Sequence, residues 1–322
     1  MTQPARTLGL VTVLLLCGAV PLTSAEIRFA DAVRVAAPER PLAGKPVPSF
    51  GVVPFRFTGA AASSRAENVA RTNPVTASLR AQKFETAETD EDVIFSAGPF
   101  EFWVCKATGS EILLNLDRYA EAEQQQEPIE DGILVRRATE YVRSQLTDID
   151  SREVRFLKIK RQMDSAAPVD ARGQPSGEIK ERVANHIVIF ERVIGQIPVV
   201  GPGEKIRVYF ASNGDAIGHS KIWRQLGKAA LRRPVLPAEA VRAAFAAAHE
   251  KDPGPGIYVD RIYFGYYAAG RYTRQVTLSP VYILGYTYGP YSKRVLEIFD
   301  AYTGKVLQPT DEGPADTKVA NQ

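Results

Sequence analysis

Two stretches of this chain, 90 residues apart, carry the same pattern. Val208-Tyr-Phe-Ala-Ser-Asn-Gly aligns with Ile298-Phe-Asp-Ala-Tyr-Thr-Gly, so that Ile206 and Val208 match Leu296 and Ile298, and Gly214 matches Gly304. Each stretch follows an amphipathic helical segment, a loop and further strand-like segments. A helix, loop, strand, strand, tight turn and strand occurring twice marks an internal repeat. It restricts the chain to the α+β class, as tandem units that each combine one helix with several strands.

The first helix is predicted over residues 129–146, with Pro128 at a permitted first-turn position. Leu134, Ala138, Tyr141, Val142 and Gln145 share one side, and Arg136, Arg137, Glu140 and Arg143 take the other. Strands follow at 154–160, 184–194, 205–212 and 216–223, with a loop at 164–178 that contains Pro168, Gly173, Pro175 and Gly177. The second helix runs from Pro237 to His249 with Val241, Ala244, Phe245 and Ala248 as its apolar stripe, and a Pro-Gly alternation at 252–256 ends it. Strands at 257–267, 272–277, 281–288, 293–299 and 305–307 complete this unit. Asn213 with Gly214, and Asp300 with Thr303 and Gly304, are the turn residues: short polar side chains satisfy backbone N–H groups while glycine relieves the steric demand.

Upstream, residues 100–116 read as a β-hairpin turning at Thr108-Gly109. Phe100, Phe102 and Val104 fall on one face, and Glu101, Trp103 and Cys105 on the other. Residues 26–97 are rich in Ala, Pro, Ser and Thr, with Pro38, Pro41, Pro46, Pro48 and Pro54 breaking any long element. They are expected to be a linker or loosely packed extension, with edge strands at most near 52–57 and 93–95. The expected organisation is therefore 26–97 extension, 98–226 first unit with its hairpin, 236–308 second unit and 309–322 polar tail.

Residues 1–25 read as a secretory signal: Arg6 supplies the positive start, residues 7–25 carry no charge, and Thr23 and Ala25 are the small residues of a cleavage point before Glu26. The alternative is an uncleaved anchor, against which stand the short apolar part and its interruption by Gly18 and Pro21. A lipid-attachment reading at Cys17 fails on Leu16, where a small residue is needed. No later segment is apolar enough to span a bilayer. The expected location is periplasmic or extracellular, and cleavage leaves Cys105 as the sole cysteine, so stability must come from packed cores.

Charge excludes some classes of partner. Forty Lys plus Arg against 37 Asp plus Glu give a net +3, without a long basic block, so nucleic acid is not an expected partner. An enzyme needs a constellation, and none is found. His249-Glu250 opens like a zinc-protease motif but continues Lys-Asp-Pro without a second histidine. His186 stands in an apolar strand and is expected to hydrogen-bond at a sheet edge. His219 adjoins Ser220, yet adjacent strand side chains point to opposite faces. Gly201 and Gly203 flank Pro202 in a β connection, not a phosphate loop, and Asp148, Asp150, Glu153 and residues 88–92 lack calcium-loop spacing. No cofactor or metal is implied.

Two segments resemble a known group. Arg294-Val-Leu-Glu-Ile-Phe-Asp-Ala-Tyr-Thr-Gly-Lys-Val-Leu307, with Val281-Tyr-Ile-Leu before it, and Val188-Ile-Phe-Glu-Arg-Val-Ile-Gly-Gln-Ile-Pro-Val-Val200 followed by Ile206-Arg-Val-Tyr-Phe, are similar to PepSY domains and to the related propeptides of thermolysin-like and fungalysin-like proteases. The opening hairpin is similar to that of such propeptides, and the match spans 98–308 in tandem, strongest at 281–307. The resemblance implies a helix against a small antiparallel sheet and a role in protease inhibition, folding assistance or envelope regulation. A propeptide of this kind usually precedes its metalloprotease. Here only 308–322 follow Leu307, so a transferred role is expected to act in trans.

Ten of the 13 tyrosines lie after Ile257. Tyrosine combines a large apolar face with a polar tip, suited both to half-buried sheets and to interfaces. Tyr263, Tyr266 and Tyr267 around Gly265, and Tyr286, Tyr288 and Tyr291 around Gly289 and Pro290, are the protein-binding candidates, with packing in the sheet as the competing reading. The function expected is a secreted noncatalytic protein-binding module, an inhibitor or folding helper of an exported hydrolase. The alternative is an envelope structural or assembly protein without a protease partner.

Overall fold

The computed structural model describes residues 27–29, 43–79, 83–120, 129–166, 180–251, 256–289 and 293–307. The proposed signal sequence at 1–25 and the tail at 309–322 lie outside them. The chain begins with β1 (Ile27–Phe29), β2 (Pro46–Val52), helix α1 (Gly59–Thr72), β3 (Glu85–Glu88), β4 (Asp92–Ala97), β5 (Phe100–Cys105), β6 (Glu111–Asn115) and the short helix α2 (Leu116–Ala120). Next come α3 (Asp131–Gln145), β7 (Val154–Ala166), β8 (Lys180–Ile194), β9 (Ile197–Val200), β10 (Lys205–Ala211), β11 (Ala216–Ile222) and β12 (Leu226–Pro234). The last elements are α4 (Ala238–Ala248), β13 (Ile257–Tyr267), β14 (Thr277–Leu278), β15 (Pro280–Tyr288), β16 (Val295–Asp300) and β17 (Val306–Leu307).

The architecture is α+β, but the expected small sheets are replaced by one of 14 strands, in the order β17-β16-β15-β13-β9-β8-β10-β11-β6-β5-β4-β3, with β1 added to β13 and β7 to β8. Edges explain the difference. A small sheet leaves two rows of unpaired backbone groups, and joining edges satisfies them. The four-residue β9 pairs antiparallel with β8 through Val193 and Pro198, and parallel with β13 through Val199 and Tyr266. At the far side β6 pairs with β11, which lets the hairpin strands extend the same ladder. After each long helix four strands pair antiparallel in chain order: β7-β8-β10-β11 after α3, and β13-β15-β16-β17 after α4. These two stretches sit inside one continuous sheet and do not stand as separate sheets.

The join requires close backbone approach, and glycine permits it. A Cβ on Gly265 would lie 2.6 Å from the Pro198 carbonyl oxygen, and one on Gly203 would lie 2.1 Å from that of Ala269. Glu204, fully buried beside them, accepts from Arg192 Nη1 at 2.9 Å, Arg224 Nη1 at 3.2 Å and the Arg224 backbone N–H at 3.1 Å. Arg224 in turn donates through Nη2 to the carbonyls of Ala269 and Gly270. One carboxylate thus ties the start of β10, the segment after β11 and the segment after β13.

Order begins earlier than expected. Within the presumed extension, Thr58 caps α1 by accepting the Ala61 N–H at 3.2 Å, and Ala62, Ala66 and Val69 turn one face onto Val93, Phe95, Phe102, Val104 and Leu113. On the same side α3 buries Leu134, Ala138, Tyr141 and Val142 against Val188, Phe190, Ile206, Val208 and Phe210. Val75 packs against both clusters. In the second half, α4 contributes Val241 and Phe245, and a separate three-stranded sheet, β12-β2-β14, contributes Val47 and Leu278 to the largest core. The strand expected at 272–277 is mainly loop: only Thr277 and Leu278 pair, with Gly51 and Phe50 of β2. Among the described residues no helix is long and apolar enough to cross a membrane.

Candidate protein-binding face

Strand alternation divides the tyrosines of the second half. On β13, Ile257, Val259, Ile262, Phe264 and Tyr266 enter the core beneath α4 and the small sheet, joined from β15 by Tyr282, Leu284 and Tyr286. Tyr266 is 1% exposed and meets Phe50 edge-on at 5.5 Å; burial pushes its phenol well above the usual range. Tyr286 is 5% exposed and meets Phe245 edge-on at 5.1 Å. Both are therefore withdrawn from the proposed surface, because the even positions of β15 and their partners on β13 are those the helix covers. Tyr288 is half-buried and packs on the same core. Tyr291 lies outside the described residues.

The opposite face is built differently. Tyr263, Tyr267, Val200 and Leu307 pack around Val281, Ile283 and Ile298, and among the described residues no helix contributes to this cluster. Registration places Tyr263 across from Ile283, Ile283 across from Ile298, and Tyr258 across from Thr287, so all share this face. Leu296, two residues before Ile298, is 61% exposed, and Tyr258 is 48% exposed. Arg261 Nη1 donates to the Tyr263 hydroxyl at 3.1 Å and fixes the polar tip of that ring. Partial burial raises the Tyr267 phenol, which stays neutral near pH 7. Aromatic and aliphatic groups on a rigid sheet can bury a partner's apolar side chains.

The turn residues lie where backbone donors need them. Asp300 Oδ1 accepts from the N–H groups of Tyr302 at 2.9 Å and Thr303 at 2.8 Å and from Thr303 Oγ1 at 3.0 Å. Asn213 Oδ1 accepts from the Asp215 N–H at 3.0 Å. Gly214 and Gly304 both adopt positive φ, 79° and 69°. Each glycine abuts the segment leading its own long helix: a Cβ on Gly214 would meet Ile129 and Arg137, and one on Gly304 would meet Leu236 and Ala244.

The histidines occupy three unrelated settings. His186 lies in β8 between β7 and β10, not at a sheet edge as expected, and burial lowers its pKa. His219 is 1% exposed, its Nδ1 is 2.9 Å from the Tyr141 hydroxyl, and burial pushes it down to about 4. Because Asn73 Nδ2 donates to the same hydroxyl, Tyr141 donates its proton to Nδ1, and the neutral ring carries its hydrogen on Nε2. His249 Nε2 lies 2.8 Å from Glu297 Oε2. Cys105 is fully buried with Sγ against the Arg271 carbonyl oxygen.

Sequence reasoning did not find a buried charge network. Arg65 grips both oxygens of Glu111 at 2.8 and 2.9 Å, and Lys221 Nζ lies 3.1 Å from Glu111 and 2.7 Å from Asp148. Burial alone would raise the Glu111 carboxyl, but Lys221 and Arg65 outweigh it and hold it at about 2. Glu111, Asp148 and Lys221 border a cavity of about 470 Å³ walled by Phe55, Thr108, Trp223 and Arg274. Among the described residues, no group of three or more His, Cys, Asp and Glu side chains is placed to hold a metal ion.

No family model matches the chain, and no curated protein matches it. Among solved structures, an uncharacterized protein from Eubacterium rectale is similar with a TM-score of 0.51 at 11% identity, over 82% of this chain and 86% of that one. The YpeB C-terminal domain of Bacillus megaterium is similar with a TM-score of 0.34 at 11% identity, over 79% of this chain and 99% of that domain. The first likeness shows a shared fold.

Proposed function

We propose that this chain is an exported, noncatalytic protein-binding module of two tandem PepSY-like units, which acts in trans on an exported hydrolase as inhibitor or folding helper. The observation that carries the reading is the face of the second half-sheet that no helix covers among the described residues, where Tyr263 and Tyr267 surround Ile283 and Ile298 while Leu296 and Tyr258 stay open to solvent. Tyrosine rings over aliphatic side chains are the composition of interface centres, where a few residues supply most of the binding energy.

Support for the tandem reading comes from pairing order, antiparallel and sequential after both α3 and α4, and from the matched turns at Gly214 and Gly304. A preformed sheet face needs no catalytic group to inhibit, because occupying an enzyme's surface excludes substrate. The near-balanced charge leaves little long-range steering, so apolar burial dominates affinity. The test is to titrate purified native protein into exported hydrolases of the same source. A saturable change in activity or refolding yield with one of them supports the reading, and no effect on any of them removes the hydrolase from it.

A further inference from the structure

Strands β3-β4-β5-β6-β11-β10-β8-β7 form one path in which every neighbouring pair is antiparallel. Eight strands that alternate in direction leave the two end strands, β3 and β7, running opposite ways. Among the described residues, nothing pairs with the outer edge of either. Such edges display rows of unpaired N–H and C=O groups and accept another strand unless something prevents it.

Charge distinguishes the two edges. Glu85, Glu88, Asp90 and Glu91 are all exposed on β3 and the turn after it, and no basic residue occurs from 85 to 91. Arg155, Lys158, Lys160 and Arg161 are all exposed on β7, and no acidic residue occurs from 154 to 163. Glu88 pairs with Lys106 at 2.6 Å and Arg155 with Glu191, but Glu85, Lys158 and Lys160 enter no ion pair among the described residues. β7 is irregular between Phe156 and Lys158 and again between Gln162 and Met163, which leaves 158–162 as its regular stretch. That stretch is five residues long, one more than the four of β3.

We propose that a second copy of this chain adds its β3 to the β7 edge, Glu85 on the sheet face that carries Lys158 and Lys160 and Glu88 on the face that carries Arg161, so that the sheet continues from copy to copy. Like edges repel: β7 against β7 sets lysine beside lysine, and β3 against β3 sets glutamate beside glutamate. The unlike pairing is attractive, and its direction is already correct. Because β3 and β7 of one copy run opposite ways, a copy stacked in the same orientation continues the antiparallel ladder. α1 and α3, whose clusters share Val75, lie on one side of the sheet and stay there along the stack. The association is head-to-tail, so it does not close as a two-fold dimer but extends through further copies. It uses the half-sheet that lacks the tyrosine face and stands independently of the hydrolase reading.

The test is sedimentation velocity of native protein at low ionic strength, with two charge-reversed variants, Lys158→Glu/Lys160→Glu and Glu85→Lys/Glu88→Lys. All four positions are exposed, and circular dichroism confirms that each variant is folded. The wild-type sedimentation coefficient is expected to rise with concentration and to fall back in about 1 M salt, where the screening length is about 3 Å. Each variant alone is expected to remain monomeric, whereas an equimolar mixture of the two associates again, because each then offers the other an edge of opposite charge. A wild-type protein that stays monomeric at every concentration, a variant that associates as well as wild type, or a mixture that fails to associate overturns the proposal.

Discussion

Tyr266 and Tyr267, consecutive in β13, point to opposite faces of one sheet: the first is sealed in the core against Phe50 on the α4 side, and the second packs beside Val281 and Ile283 on the other. Their substitutions should therefore separate. Tyr266→Ala is expected to cost about 3–5 kcal/mol of folding stability, the range for removing a large buried aromatic side chain. Tyr267→Ala should leave most of the stability intact, and weaken partner binding by about 1–4 kcal/mol if the ring is an anchor. Urea unfolding and calorimetric titration of both variants check this, and equal losses of stability would place both rings in one core.

Glu204 holds the join between the two half-sheets through Arg192 and Arg224, all three nearly inaccessible. Removing one partner from a buried ion group leaves charge uncompensated, so Glu204→Gln should destabilise the fold by about 3–5 kcal/mol. A smaller replacement at Lys106, the half-buried partner of exposed Glu88, is expected to cost less than about 1 kcal/mol. Denaturant midpoints measured at fixed pH give both values.

Acid should loosen the protein in two steps. His219, held neutral by burial with a folded pKa of about 4 against an unfolded value near 6.5, binds its proton more readily in the unfolded chain. Stability is therefore full above about pH 6.5 and falls as pH drops toward 4, by about 2 kcal/mol at pH 5 from this group. Glu111, held at about 2 by Lys221 and Arg65, has the usual depressed-carboxylate sign: its contribution is present above about pH 4.5 and is lost as pH falls toward 2. Unfolding free energies at pH 7 and pH 5 for wild type and His219→Phe should converge in slope as the histidine is removed. An imidazole that NMR shows protonated at pH 5.5 in the folded protein would contradict the assignment.

The sequence pattern at 7–25 predicts a mature protein that begins near Glu26. N-terminal sequencing of exported material should read Glu-Ile-Arg-Phe. Recovery of an intact Met1 in the membrane fraction would favour the anchored alternative.

Helical periodicity exposed α3 and α4 because Leu134, Tyr141, Val241 and Phe245 are large enough to mark a stripe. It missed α1, whose buried residues are Ala62, Ala66 and Val69 among other alanines, so the pattern carries almost no contrast. β2 escaped because Pro46 and Pro48 read as breakers, although a strand can hold proline where no ladder N–H is needed. The fusion through β9 was not legible at all, since pairing between residues 199 and 266 leaves no local signature. Alternation alone sets Tyr266 and Tyr267 on opposite faces, and Tyr263 with Tyr267. Which face the helix takes depends on tertiary packing, and so the six tyrosines could not be sorted before that packing was known.

The central claim is that the tyrosine face of the second half-sheet is where a partner docks. A photoreactive phenylalanine placed at position 263 or 267, and for comparison at the exposed Glu239 on α4, tests it in the extracytoplasmic fraction of the native source. The account predicts a discrete adduct with one exported protein from 263 and 267, competed away by unlabelled native protein, and none from 239. Equal labelling from all three positions, or no adduct from 263 and 267 in correctly folded protein, would contradict it.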